Sequence, residues 1–117
     1  MADYPSAWLP SLSTWMQAKP ATLEGNYAGN NSANRAINHA DGRVPRLVVI
    51  IAGDASVTAF LKNYNGSALM TSLAAAAAVA GYILTKMTGA NFYVGNAASY
   101  ALSMNATGTN YYWMAIY

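Results

Sequence analysis

Apolar residues in the later part of this chain recur with the spacing of β-strands. The run RLVVIIAG at 46–53 is a β-branched stretch between Pro45 and Gly53, which is typical of a strand buried on both faces. SVTAFLKNY at 56–64 predicts a second strand, and the Asn65-Gly66 pair that follows is a strong turn signal. We therefore expect two successive strands and a tight turn here.

Three more strands are predicted before the end of the sequence. YILTKMT at 82–88 and NFYVG at 91–95 indicate strands on either side of a turn at Gly89. SYALSMN at 99–105 alternates between large apolar and small or polar residues, which predicts a strand with one buried face.

The final strand, TNYYWMAIY at 109–117, is apolar on both faces. Tyr111, Trp113, Ala115 and Tyr117 share one face, and the alternate residues share the other. Both faces therefore need cover: the sandwich core covers one, and we expect a neighbouring subunit to cover the other. The residues predicted to lie in the core or an interface are Tyr111, Tyr112, Trp113, Met114, Ile116 and Tyr117.

Residues 1–46 differ from the rest because they contain all four prolines and an Asn- and Gly-rich stretch, which favours loops and extended backbone. The segment is nevertheless too apolar for a free disordered tail. It predicts an extended N-terminal arm that docks on its own domain or on a neighbour. The predicted anchors of this arm are Trp8, Leu12, Trp15 and Met16.

The run SLAAAAAVAG at 72–81 is ambiguous. Ser72 can cap a helix that Gly81 ends, and alanine is the best helix former, but small residues can equally line a tightly packed sheet. We expect a short helix over 72–80. The fold class is therefore mainly β: a β-sandwich or jelly-roll-like domain over 47–117, preceded by the arm and loop region over 1–46.

Charge is sparse and unevenly placed. Charged residues make up 9% of the 117 residues, and none follows Lys86. Interfaces between proteins are depleted in charge and enriched in aromatic residues, so this composition favours a homo-oligomer or an assembly subunit. A net charge of +2 is too small to indicate a nucleic acid or an anionic membrane as partner.

Targeting and membrane signals are weak. The first 16 residues have no basic start followed by an apolar core, so we expect no secretory signal and synthesis in the cytoplasm. The apolar segment 68–84 is mostly alanine and short for a membrane span, which favours a buried core segment.

The residues needed for catalysis or metal binding are few: one histidine, four carboxylates and no cysteine. His39 and Asp41 stand two residues apart, but no second histidine or carboxylate cluster completes a metal site. The simpler interpretation of His39 is a loop histidine that hydrogen-bonds to backbone. We therefore predict no catalytic residue, no metal site and no cofactor.

The C-terminal half resembles small β-sandwich virion proteins of tailed bacteriophages. In these proteins a Phe-x-Val-Gly step is followed, about ten residues on, by Asn-x-x-Gly-x-x-Tyr-x-x-Ala leading into the last strand. The matching residues here are Phe92, Val94, Gly95, Asn105, Gly108, Tyr111 or Tyr112, and Ala115. GRVPRLVVIIAG at 42–53 also resembles the strand that opens such domains.

The resemblance, together with the composition, implies a capsid decoration (cement) protein. Such proteins are usually trimeric, lie on the outer capsid surface, and use an arm to bridge neighbouring capsomers. The expected partners are therefore the major capsid protein and further copies of this chain, with neither nucleic acid nor membrane, and the expected location is the virion. The alternative is a tail or fibre domain that binds a host-surface glycan through exposed Tyr and Trp.

Overall fold

Eight strands form in the computed structural model, which describes residues 20–74 and 79–117. They are β1 (Thr22–Ala28), β2 (Arg35–Asn38), β3 (Leu47–Ala52), β4 (Val57–Tyr64), β5 (Ser67–Ala74), β6 (Val79–Leu84), β7 (Asn91–Val94) and β8 (Asn110–Ile116). The described residues contain no helix, which confirms the mainly-β prediction.

The strands form one large and one small antiparallel sheet. The large sheet has six strands in the order β1-β8-β3-β4-β5-β6, and β2 pairs with β7 in the small sheet. β8 lies between β1 and β3, so the last strand is inside the sheet and not at its edge. The predicted strand over 109–117 is thereby confirmed.

The core lies on one face of the large sheet, here called the inner face. Phe92 of β7 packs edge-on against Trp113 of β8, with 5.2 Å between the ring centroids, so the small sheet covers this face. Residues 95–105 cover it as well: the Ser72 hydroxyl donates to the Leu102 carbonyl, and Met104 is fully buried. Within β8, Tyr111, Trp113 and Ala115 are buried in this core.

The turn between β4 and β5 has the predicted chemistry. Asn65 and Gly66 have φ angles of 46° and 84°, the left-handed conformation that a two-residue hairpin of type I′ requires. Tyr64 and Ser67 pair directly across it. The turn therefore fixes the register of the β4–β5 hairpin, as the sequence indicated.

The predicted helix over 72–80 is wrong. Residues 72–74 end β5 and residues 79–80 begin β6, while residues 75–78 lie outside the described part of the chain. The buried side chains of Ala68, Met70 and Ser72 alternate along β5. β5 pairs with β4 and β6, and Ser72 bonds to residues 95–105, here called the covering loop. This strand pairing overrides the local preference for a helix.

The boundary predicted at residue 46 also does not describe the fold. β1 and β2 lie before it, and both belong to the sheets. β1 pairs with β8, and β2 pairs with β7. The Asn and Gly residues of this region favour loops, so the sequence alone did not predict these strands. Any arm is confined to residues 1–19, which lie outside the described residues together with the predicted anchors Trp8, Leu12, Trp15 and Met16.

The predicted strand over 99–105 is a series of turns. The Ser103 amide donates to the Ser99 carbonyl at 3.0 Å, and the Leu102 amide donates to the Ser99 hydroxyl at 3.2 Å. The Ser103 hydroxyl also bonds to the Ser99 carbonyl. Serine side chains offer the backbone these local partners in place of a sheet ladder, so the alternating pattern did not produce a strand.

Tyr27 links β1 to the covering loop. Its hydroxyl donates to the Met104 carbonyl at 2.6 Å, and its ring stacks on Tyr111 at 5.2 Å. Burial, reinforced by Tyr111, raises the pKa of the Tyr27 hydroxyl well above its ordinary value. The neutral phenol is therefore strongly favoured in the folded state.

This burial predicts alkaline destabilisation. The raised pKa means that the contribution of Tyr27 to stability is fully present below about pH 10, the pKa of an unfolded tyrosine, and is lost as the pH rises further. We expect the free energy of unfolding, measured in urea between about pH 9 and 11, to fall less steeply in Tyr27→Phe than in the wild type. Tyr64→Phe, which changes a 58% exposed tyrosine, is the control and should keep the wild-type slope. Equal slopes in all three proteins would contradict the assignment.

Candidate interaction surface

The face of the six-stranded sheet opposite the core, here called the outer face, carries three cross-strand rows of side chains. The first row runs Thr22, Ile116, Leu47, Lys62, Leu69, Ile83. The second runs Glu24, Met114, Val49, Phe60, Thr71, Gly81. The third runs Asn26, Tyr112, Ile51, Thr58, Leu73, Val79.

Most positions in these rows are apolar, and no residue in them is buried. The most exposed large apolar members are Val79 (66%), Ile83 (59%), Tyr112 (54%) and Ile51 (45%). Neighbours along a row lie side by side on the sheet, so the exposed apolar groups form one continuous surface. Extended apolar patches on a protein surface mark interaction sites.

β3 illustrates why this surface is unusual. The sequence predicts a strand buried on both faces, but Val49 is only half-buried and Ile51 is exposed, while Val48 and Ile50 are fully buried on the inner face. β3 lies between β8 and β4, where both of its edges are paired. The described part of the chain thus covers one face of a strand whose composition suits cover on two.

The last strand shows the same division. Tyr111 and Trp113 are buried, and Tyr117 is half-buried. On the other side Tyr112 is exposed, and Met114 and Ile116 are half-buried. The structure therefore assigns the first group to the core and leaves the second on the outer face, available to a partner.

Two depressions flank Tyr112. One, of about 260 Å³, is almost entirely apolar and is lined by Glu24, Gly25, Val49, Ile51, Tyr112, Trp113 and Met114. The other, of about 220 Å³, is mostly polar and is lined by Gly53, Asp54, Gly108, Thr109, Asn110 and Tyr112.

His39 is buried and hydrogen-bonded on both ring nitrogens. Nε2 lies 2.8 Å from the Thr88 carbonyl, which can only accept, so Nε2 carries the proton. Nδ1 lies 2.7 Å from the Tyr117 hydroxyl. These two bonds tie the residue after β2 to the turn before β7 and to the end of β8, which agrees with the interpretation of a backbone-bonded histidine.

The charged groups near His39 pair with each other. Arg43 forms a salt bridge to Asp41 at 2.6 Å, and its guanidinium lies 4.5 Å from the centroid of the Tyr117 ring. The bond to Asp41 raises the pKa of Arg43 further. Arg35 donates instead to the Ala28 carbonyl and to Asn105. Arg43 and Arg35 are therefore both engaged in contacts within the chain.

Among residues 20–74 and 79–117, no three His, Cys, Asp or Glu side chains come together in a metal-binding group. The same residues include no helix that is long and apolar enough to cross a membrane.

Comparison with protein-family models, curated proteins and solved structures finds no match.

Proposed function

We propose that the protein is a structural subunit that acts by binding other protein through its outer face. The observation that supports this most is the continuous apolar surface of the three rows, with Tyr112, Ile51 and Val79 exposed. Only Glu24 and Lys62 are charged within these rows. A surface so apolar and so low in charge suits the desolvated centre of a protein interface.

The biological role that we propose is capsid decoration in a tailed-bacteriophage virion. The protein binds the major capsid protein on the outer capsid surface, as a homo-oligomer, and stabilises the contacts between capsomers. The resemblance to virion proteins supports this role, and its matched residues are those that organise the fold. Phe92, Val94 and Asn105 are fully buried, and Gly95 has a φ of 94°.

The mechanism is static. Apolar surface that leaves water on binding stabilises the contact by about 25 cal/mol per Å². A subunit that spreads this burial across a capsomer boundary adds cohesion that opposes outward pressure. Residues 1–19 contribute to the same contact in this proposal, because their Trp and Leu residues provide further apolar area.

Deletion of residues 1–19 tests this function directly. The deletion ends before β1, so the domain should fold and keep its midpoint of thermal unfolding. We expect the shortened protein to bind decoration-free capsids at least about tenfold more weakly in co-sedimentation, a loss of about 1.4 kcal/mol or more. A stained gel of purified virions should show the full-length protein in hundreds of copies per particle. Undiminished binding, or only a few copies, would contradict capsid decoration.

A second candidate function is glycan binding at Tyr112. The favouring observation is that this exposed aromatic ring borders the polar depression lined by Asp54, Thr109 and Asn110. Trp113 is not available to stack on a glycan, because it is buried against Phe92 in the core. A glycan array separates the functions: Tyr112→Ala should abolish glycan binding, whereas Tyr64→Ala, at a similarly exposed tyrosine, should not. The absence of binding by the wild-type protein would remove this candidate.

A further inference from the structure

The two edges of the six-stranded sheet differ in their protection. β1 carries Glu24 and Asn26 on its exposed side. Two backbone carbonyls near the ends of β1 also accept hydrogen bonds from arginine side chains. Arg43 donates to the Pro20 carbonyl, just before the strand, at 2.6 Å, and Arg35 donates to the carbonyl of Ala28, its last residue. Charged residues and occupied backbone groups are how soluble proteins discourage further strand pairing at an edge.

β6, at the opposite edge, has fewer of these features: Asn34 Oδ1 accepts from the Thr85 amide just after the strand at 3.2 Å, but β6 itself carries no charged side chain. Its sequence, VAGYIL, contains no charge and no proline. Val79 and Ile83 are the two most exposed large apolar side chains among the described residues, at 66% and 59%. An exposed, apolar and regular edge strand presents unpaired N–H and C=O groups and invites another strand.

We propose that β6 pairs with β6 of a second copy, antiparallel and centred on Gly81, to join two sheets into one. Gly81 then lies opposite Gly81 of the second copy, and Val79 lies opposite its Ile83. On the inner side Ala80 lies opposite Tyr82. Val79 and Ile83 therefore each meet another apolar branched residue, and Tyr82 meets a small one.

The sequence of β6 favours a second copy over a different strand. The strand is nearly symmetric about Gly81, so a twofold axis there matches each exposed apolar residue with another, as an isologous interface requires. A register shifted by one residue would place outer-face residues opposite inner-face residues. No like charges oppose each other, because the strand has none.

A ring built by pairing β6 with β1 is disfavoured. It would place Val79 and Ile83 opposite the polar side of β1, which carries Thr22, Glu24 and Asn26. The proposal therefore replaces the trimer that the resemblance implies with a dimer. It also joins the outer faces of two copies edge to edge, which doubles the apolar surface, but it does not depend on the virion role.

Paired charge substitutions test both the contact and its register. The wild-type protein should dimerise in sedimentation equilibrium. Val79→Lys combined with Ile83→Lys places like charges opposite each other, and the dimer dissociation constant should rise at least tenfold. Val79→Lys combined with Ile83→Glu places opposite charges across the axis and should restore the dimer. The control, Thr22→Lys with Asn26→Lys on β1, should leave the dissociation constant unchanged.

A cysteine cross-link gives an independent measurement, because the chain contains no cysteine. Gly81→Cys is compatible with the fold, since an added Cβ comes no closer than 4.0 Å to the Met70 carbonyl oxygen. Under oxidising conditions this variant should form a covalent dimer, and Asn26→Cys should not. A wild-type monomer at millimolar concentration, or failure of Gly81→Cys to cross-link, would overturn the proposal. If Ile51→Glu loses partner binding but still dimerises, the β6 pairing is retained, because the two contacts are separate.

Discussion

Replacing Ile51 by Glu is expected to reduce binding to the capsid by more than about 100-fold, while the free energy of unfolding changes by less than about 1 kcal/mol. Ile51 is 45% exposed in the middle of the third row, between Tyr112 and Thr58. A carboxylate there remains solvated in the free subunit but loses its water when a partner covers the outer face. Desolvation of an unpaired charge costs several kcal/mol, and each 1.4 kcal/mol weakens binding tenfold.

Val44→Glu is the matched control for this prediction. Val44 is 47% exposed, so the change in size, charge and exposure is nearly the same, but the residue lies in the loop before β3 and not on the outer face. Binding is measured by co-sedimentation with decoration-free capsids, and stability by urea unfolding. If both variants bind as the wild type does, the outer face is not the capsid-binding surface. If both lose binding equally, charge alone accounts for the effect.

Asn105→Leu is expected to destabilise the fold by about 3 kcal/mol or more, the largest effect on stability that we predict for a single residue. Asn105 is fully buried and uses its whole amide group. Nδ2 donates to the Ser32 carbonyl at 2.8 Å and to Asn30 Oδ1 at 2.9 Å. Oδ1 accepts from Arg35 Nη1 at 3.1 Å and from the backbone N–H of Asn30 at 3.2 Å.

Leucine is similar in size but supplies none of these bonds, so the four part-buried hydrogen bonds to Asn30, Ser32 and Arg35 would be lost. Each such bond contributes about 0.5–1.5 kcal/mol. Asn105→Asp is informative beside it, because the second carboxylate oxygen would face the Ser32 carbonyl, which is also an acceptor. Asn26→Ala, at an exposed asparagine, should change stability little. A loss below about 1 kcal/mol for Asn105→Leu in urea unfolding would show that the loops are held by other contacts.

The strands that could be predicted are those in which local pattern and tertiary pairing agree. β3, β4 and β8 were predicted because β-branched and aromatic residues recur there, and Asn65-Gly66 has no good alternative to a tight turn. β1 and β2 were missed, since β1 contains Glu, Gly and Asn, which disfavour a sheet, and β2 is only four residues long within an Asn-rich stretch. They form because β8 and β7 offer them partners.

The candidate surface was predicted only in part. The apolar character of Tyr112, Met114 and Ile116 indicated an uncovered face from sequence. The surface is larger than that prediction, because β3, β4, β5 and β6 contribute residues that join β8 only through the sheet register. Strand order is a nonlocal property, and no spacing along the chain records which strands become neighbours.

By itself, the sequence determined that this protein is mainly β, that its last strand is apolar on both faces, and that no charged residue follows Lys86. These properties follow from residue type and a two-residue period, which act locally. Only the tertiary structure decided which face of each strand is covered, that β8 lies inside the sheet, and that β6 is an edge strand with exposed apolar side chains. The reason is physical: burial and pairing are made between segments distant in sequence, so their outcome depends on how all the strands assemble.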